Sequence, residues 1–200
     1  MLYYIRNIKK NIFTYLIVLL IQPFLFSCQS TEILEKIVFD NEQLTKITIK
    51  AEKKIINEKY EFKFDDPYID HSLEFSPLDR LNSWLNENIN VFGTENELII
   101  NILDASLKKT EIKNDSSKKF QQKQIFFYEL NYLVEYILYD DANSILSTTI
   151  VKTERSTTSG QFISLNELEK IIDSLILNAL IDVSLESNRL INIHMSKFTI

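Results

Sequence analysis

The sequence predicts an α+β fold: an antiparallel sheet of about four strands with two helices packed on one face. The expected order is strand-helix-strand-strand-strand-helix. Three observations point there. Two segments show helical apolar spacing directly behind a capping sequence, at Ser76-Pro77-Leu78-Asp79 and at Ser164-Leu165-Asn166-Glu167. Three stretches beyond Gly93 are apolar or alternating at strand length. Polar links join those stretches locally, which suits an antiparallel meander backed by helices. The composition agrees: 45% hydrophobic, 12% aromatic and 25% charged, with only 2 Gly and 3 Pro in 200 residues. Such a chain is neither disordered nor collagen-like, and it has room for one domain and a short processed segment.

The first 27 residues read as a signal peptide. Arg6, Lys9 and Lys10 give a basic start, Ile12–Phe26 is almost wholly apolar, and Ser27 is a small residue before the cut. Gln22 and Pro23 interrupt the run, which is short of the roughly 20 apolar residues a spanning helix needs. Leu25-Phe26-Ser27-Cys28 resembles the bacterial lipobox, although Phe26 stands where a small or aliphatic residue is commoner. The resemblance implies that Cys28 receives a diacylglycerol and further acyl groups such as palmitate. Cys28 is the single cysteine, so no intramolecular disulfide competes for it. Several acyl chains anchor stably where one binds only marginally. Gln29 rather than Asp follows, which by resemblance to enterobacterial sorting favours the periplasmic face of the outer membrane over the inner.

Residues 28–43 are expected to be the lipidated Cys and a tether, and residues 44–200 a single periplasmic domain. A first strand is expected within 44–57, from Leu44, Ile47 and Ile49 among Thr and Lys, followed by Ile55-Ile56. Asp65-Asp66-Pro67 stops the next alternation, so 58–75 reads as an extended connector with aromatic pegs. Helix one starts with Ser76 as N-cap and Pro77 at its first position, and buries Leu78, Leu81, Trp84, Leu85 and Ile89. Gly93 is expected to end it as a left-handed cap. Glu97–Ile112 reads as one strand. Ile125–Tyr139 reads as the next, with Leu130, Tyr132, Val134, Tyr136 and Leu138 on one face of a half-solvated strand. The polar stretch Lys113–Lys123 would be the exposed hairpin loop between them. Asp140–Asn143 is a turn, Ile145–Arg155 a further strand, and Ser164 caps helix two, which runs towards Arg189. Residues 190–200 suit either a continuing helix or a late strand.

The formal charge is −6, and removing the three basic residues ahead of Cys28 leaves 19 basic against 28 acidic residues, near −9. An acidic domain repels phosphate backbones, so no nucleic acid partner is expected. There is no Gly-x-Ser-x-Gly elbow, phosphate loop or dinucleotide fingerprint. Asp65, Asp66, Asp70 and His71 form the one cluster able to suggest metal or acid–base chemistry; the plainer expectation is a solvated acidic connector. Asp104 and Glu154-Arg155 suit inter-strand ion pairs, and Trp84 suits the core. Phe126, Phe127, Tyr128, Tyr132, Tyr136 and Tyr139 crowd one strand. They are expected to lie under the connector 58–75 or to form an exposed aromatic surface.

The chain also resembles a group of short, uncharacterised envelope lipoproteins of Gram-negative bacteria over about residues 47–190. The resemblance rests on Ile56-Asn57-Glu58, Pro67-Tyr68-Ile69-Asp70-His71, Ser76-Pro77 with Trp84 and Gly93, Asp104-Ala105-Ser106, and Glu154-Arg155-Ser156. At the level of element order it is similar to the lipopolysaccharide-assembly lipoprotein and to auxiliary lipoproteins of lipid-transport ABC systems. The resemblance implies a non-enzymatic accessory component of envelope assembly or lipid transport, membrane-bound through Cys28 and contacting a larger envelope assembly by the sheet face or the loop 113–123. No catalytic, cofactor-binding or metal residue is expected. Two alternatives make different demands on the fold. A metal-dependent hydrolase needs Asp66, Asp70 and His71 to converge in a cleft. A single-lipid carrier needs an open apolar cavity between sheet and helices.

Overall fold

A long strand, β6 (Gln124–Tyr139), is the spine of the main sheet in the computed structural model, which describes residues 37–113 and 124–200. The signal-like segment, Cys28 and residues 114–123 lie outside the described residues. One edge of β6 pairs along its whole length with antiparallel β7 (Ile145–Gly160). Two shorter antiparallel strands share the other edge, β4 (Glu97–Asp104) against residues 133–139 and β5 (Leu107–Lys113) against residues 124–130. β2 (Lys53–Glu58) lies beyond β4 and runs parallel to it. A separate two-stranded sheet joins β1 (Ile47–Ile49) and β3 (Ile89–Val91), also in parallel. The helices are α1 (Pro77–Asn88) and α2 (Leu165–His194).

The expected α+β class holds, but the sheet is mixed rather than antiparallel, with five strands in the main sheet. The cause is connectivity. Between β2 and β4 the chain passes through the connector, α1 and β3, and that long crossover returns it in the same direction. The expected strand in 44–57 is two strands, because the chain turns at Lys50-Ala51-Glu52 and sends β1 and β2 into different sheets. The expected strand 97–112 breaks at Ala105-Ser106. There the Ser106 amide donates to Asp104 Oδ1 (2.9 Å) and the Asn131 amide donates to the Ser106 carbonyl (2.9 Å). The break lets β4 and β5 meet β6 in different registers.

Both helices begin as their capping boxes require. Ser76 Oγ accepts from the Asp79 amide and Asp79 reaches back to the Ser76 amide, and Ser164 and Glu167 repeat the arrangement. The end of α1 departs from expectation. Gly93 is not a left-handed cap; the chain leaves the helix directly into extended β3 at Ile89. Lys54 Nζ donates to the carbonyls of Leu85, Asn86 and Ile89 at 2.8, 3.0 and 2.6 Å, so a cation closes the negative end of the helix. Gly93 serves a different purpose. A Cβ there would stand 3.3 Å from the Ala51 amide nitrogen, so glycine eases the close approach of two backbones. Near the C-terminus α2 continues to His194. The last residues then close on β1, with the Lys50 amide donating to the Phe198 carbonyl (2.7 Å) and the Ile200 amide to the Thr48 carbonyl (3.1 Å).

Alternation along β6 divides the sheet into a covered and an open face. Leu130, Tyr132, Val134, Tyr136 and Leu138 are fully buried. Tyr132 Oη donates to the Pro77 carbonyl of α1 (3.1 Å), and Tyr136 Oη lies 2.9 Å from Ser187 Oγ of α2. One face of β6 therefore meets both helices, as expected. Among the described residues no helix is long and apolar enough to cross a membrane.

Candidate functional site

The acidic connector does not assemble a site. Asp65, Asp66 and His71 are exposed, whereas Asp70 is completely buried. Asp70 points inward because its Oδ2 accepts from Tyr60 Oη at 2.7 Å. The His71 ring lies instead beside Phe64, centroids 5.1 Å apart. The convergence that a hydrolase built on Asp66, Asp70 and His71 demands is absent. No group of three His, Cys, Asp or Glu side chains with metal-holding geometry occurs among the described residues.

Asp70 is a structural carboxylate. It ties the start of the connector (Tyr60) to its middle, and burial together with the bond to Asp70 drives the Tyr60 hydroxyl well above its usual range. The connector itself does not lie across the aromatic strand. It runs along the outer edge of β5, where the Ile69 amide donates to the Leu107 carbonyl (2.9 Å) and the Lys109 amide to the Pro67 carbonyl (2.8 Å). Tyr128, Tyr132 and Tyr136 are buried on the helix side, and burial raises the hydroxyls of the latter two well above the ordinary tyrosine range. Phe127 and Tyr139 are half-buried on the open face.

Asp104 and Arg155 do not form the expected inter-strand ion pairs. Asp104 caps the Ser106 turn. Arg155 reaches across to α2 and forks onto Asp182, with Nη2 to Oδ1 at 3.0 Å and Nε to Oδ2. Inter-strand pairs do occur, at Lys53–Glu97 (3.1 Å) and Lys108–Glu129 (3.5 Å). Trp84 is fully buried, as expected.

Two features remain that can engage something else. The first is the open sheet face. Ile55, Ile99 and Ile137 lie in register across β2, β4 and β6. In the adjoining row Asn57 Nδ2 donates to Asn101 Oδ1 (3.1 Å) and Asn101 Nδ2 to Glu135 Oε2 (2.7 Å), with Ile150 of β7 opposite Glu135. Ile55 is 39% and Ile150 53% exposed, so this apolar surface is reachable.

The second feature is a cavity of about 640 Å³ between the sheet and the helices. Its walls come from the connector (Ile69, Leu73, Phe75), the first turns of α2 (Leu168, Ile172) and Tyr128 of β6. Two cations stand in it, Arg80 of α1 and Lys109 of β5. The Arg80 guanidinium is held by two rings, 3.8 Å from the centroid of Phe39 and 4.6 Å from that of Phe75. Lys109 Nζ lies 4.0 Å above the Phe126 ring. Sequence reasoning missed both cations. Arg80 sits one residue before the buried Leu81, and nothing in helical spacing reveals that Phe39 and Phe75, from separate segments, will enclose it.

The architecture is that of a small mixed-sheet domain with an uncovered sheet face and a cavity beneath its helices. No family model matches the sequence, and no curated protein matches it. Among solved structures the chain is similar to a minor lipoprotein from Acinetobacter baumannii, at 10% identity and a TM-score of 0.41, covering 76% of this chain and 98% of that one. It is also similar to the rare lipoprotein B from Shewanella oneidensis, at 13% identity and a TM-score of 0.37, covering 70% and 96% respectively.

Proposed function

We propose that the protein is a lipid-anchored accessory module of the bacterial envelope that works by binding, not catalysis. The single observation carrying this reading is the open sheet face. Neither helix covers it, and it presents a row of isoleucines beside the fixed Asn57–Asn101–Glu135 ladder. Exposed apolar surface next to ordered polar groups is the composition of a protein contact, where burial gives affinity and polar groups set orientation. Cys28 supplies the tether: with acyl chains on this residue, the acidic domain stays at the outer membrane and meets a larger assembly there.

Two measurements test the two halves. Intact mass of the protein purified from its own envelope should show a chain beginning at Cys28 and carrying the added mass of a diacylglycerol and acyl chains. A chain that retains residues 1–27, or one that enters the aqueous fraction without detergent, removes the anchor from the proposal. A photoreactive amino acid at position 150 should crosslink to one defined envelope protein, and the same group at exposed Leu185 of α2 should not. Equal crosslinking from both positions would remove the sheet face from it.

A further inference from the structure

The cavity beneath the helices is a different site from the open face, and its chemistry is more specific. It is large enough for a small molecule, since ligand pockets commonly fall between about 300 and 1,000 Å³. Its interior is mainly aliphatic and aromatic, which suits hydrocarbon. What distinguishes it is Arg80. A guanidinium keeps its charge at any physiological pH, yet Arg80 makes no ion pair among the described residues, and its Nε is buried without a hydrogen-bond partner. Nearly all buried donors find partners, and a charged one left orphaned is costly. The rings of Phe39 and Phe75 hold the guanidinium while offering no acceptor oxygen to its N–H groups. Lys109 likewise has a ring for company and no carboxylate among the described residues. Three acids also stand on the lining, Glu74 and Glu169 exposed and Asp173 half-buried, and none of them forms an ion pair with Arg80 or Lys109 among the described residues.

We propose that this cavity binds one single-chain amphiphile with an anionic head, its hydrocarbon among Ile69, Leu73, Leu168 and Ile172 and its head on Arg80 and Lys109. The reading goes beyond the anchored binding role and does not depend on it, because the two sites lie on opposite faces of the sheet. Carboxylate and phosphate heads share the required chemistry: both accept the forked N–H pair of a guanidinium. The volume sets the other limit, holding one chain rather than the several of a full lipid.

The experiment uses the full chain in nanodiscs of zwitterionic lipid, labelled with a diazirine-bearing hexadecanoate and mapped by peptide mass spectrometry. Labelling should concentrate on residues 69–73 and 168–172. Unlabelled hexadecanoate and a single-chain lysophosphatidate should both compete, the stronger competitor naming the source of the head group, whereas hexadecyltrimethylammonium should not. Arg80→Met should cut labelling about tenfold, as expected for loss of a charged hydrogen bond, and Arg80→Lys should restore part of it. Leu168→Trp, which fills the cavity from a half-buried position, should block labelling with the fold intact by circular dichroism. The proposal is overturned if label spreads over the surface, if the cationic competitor works equally well, or if the cavity takes no label.

Discussion

At the scale of single residues, the buried polar groups dominate. Among the described residues Tyr60 is the only side-chain partner of the Asp70 carboxylate, whose second oxygen has none. Tyr60→Phe should therefore destabilise the fold by about 1–3 kcal/mol in urea titration, the cost of stripping a buried acceptor of its donor. Tyr60, Tyr132 and Tyr136 also share a pH signature. Their folded hydroxyls hold protons more tightly than the value of 10.0 they have when unfolded. That stability is fully present below pH 10 and is lost as pH rises beyond it, since only the unfolded chain then ionises easily. Absorbance at 295 nm should accordingly show these tyrosines ionising together with unfolding in alkali; smooth ionisation of every tyrosine in a folded chain would contradict it. Asn143, at φ 59 in the turn between β6 and β7, tells a simpler story. Asn143→Gly should leave the melting temperature nearly unchanged, whereas Asn143→Val should cost about 1–2 kcal/mol by forcing a β-branched side chain into the left-handed region.

At the scale of elements, the starts of helices were legible and the neighbours of strands were not. Ser76-Pro77-Leu78-Asp79 and Ser164-Leu165-Asn166-Glu167 announce helix starts because capping is satisfied within four residues. The same locality supports a test. Ser164→Ala should cost about 1 kcal/mol and release Glu167, whose carboxyl is held below its usual 4.5 by the Ser164 amide and hydroxyl. A depressed carboxyl favours the fold above its unfolded value and loses that contribution as pH falls, so the first turn of α2 should fray in acid. Carbon-13 NMR titration of Glu167 in both forms checks the shift. The end of α1 shows the limit of local reading. Its cap is Lys54, about thirty residues away on β2, whereas Gly93, the nearby glycine, takes no part in closing the helix. Lys54→Met should cost about 2 kcal/mol through three carbonyls left without their donor, measured as a loss of melting temperature. Apolar runs of strand length likewise mark Ile55-Ile56 and Leu98–Leu103 but carry no sign of parallel pairing. That relation depends on how the intervening chain crosses over, and the Ala105-Ser106 break depends on register against β6.

At the scale of the whole molecule, the class of fold and the side of the sheet facing the helices followed from the sequence, while the binding features did not. The open face needs β2, β4, β6 and β7, and the cavity needs the connector, both helices, β5 and β6. Neither the Asn57–Asn101–Glu135 ladder nor the Phe39–Arg80–Phe75 stack has a counterpart in any short window. The acidic motif that was legible, Asp65 to His71, dissolved because one member serves the interior and the rest serve solvent. The parallel seam between β2 and β4 carries a kinetic consequence. β6 and β7 are joined by a tight turn and close with little loss of chain entropy, whereas β2 must find β4 across the whole connector and α1. Refolding should thus build the β6–β7 hairpin first and zip the β2–β4 seam last. Hydrogen exchange should find that seam opening before the hairpin, baring the β4 edge to any neighbouring chain with an unpaired strand.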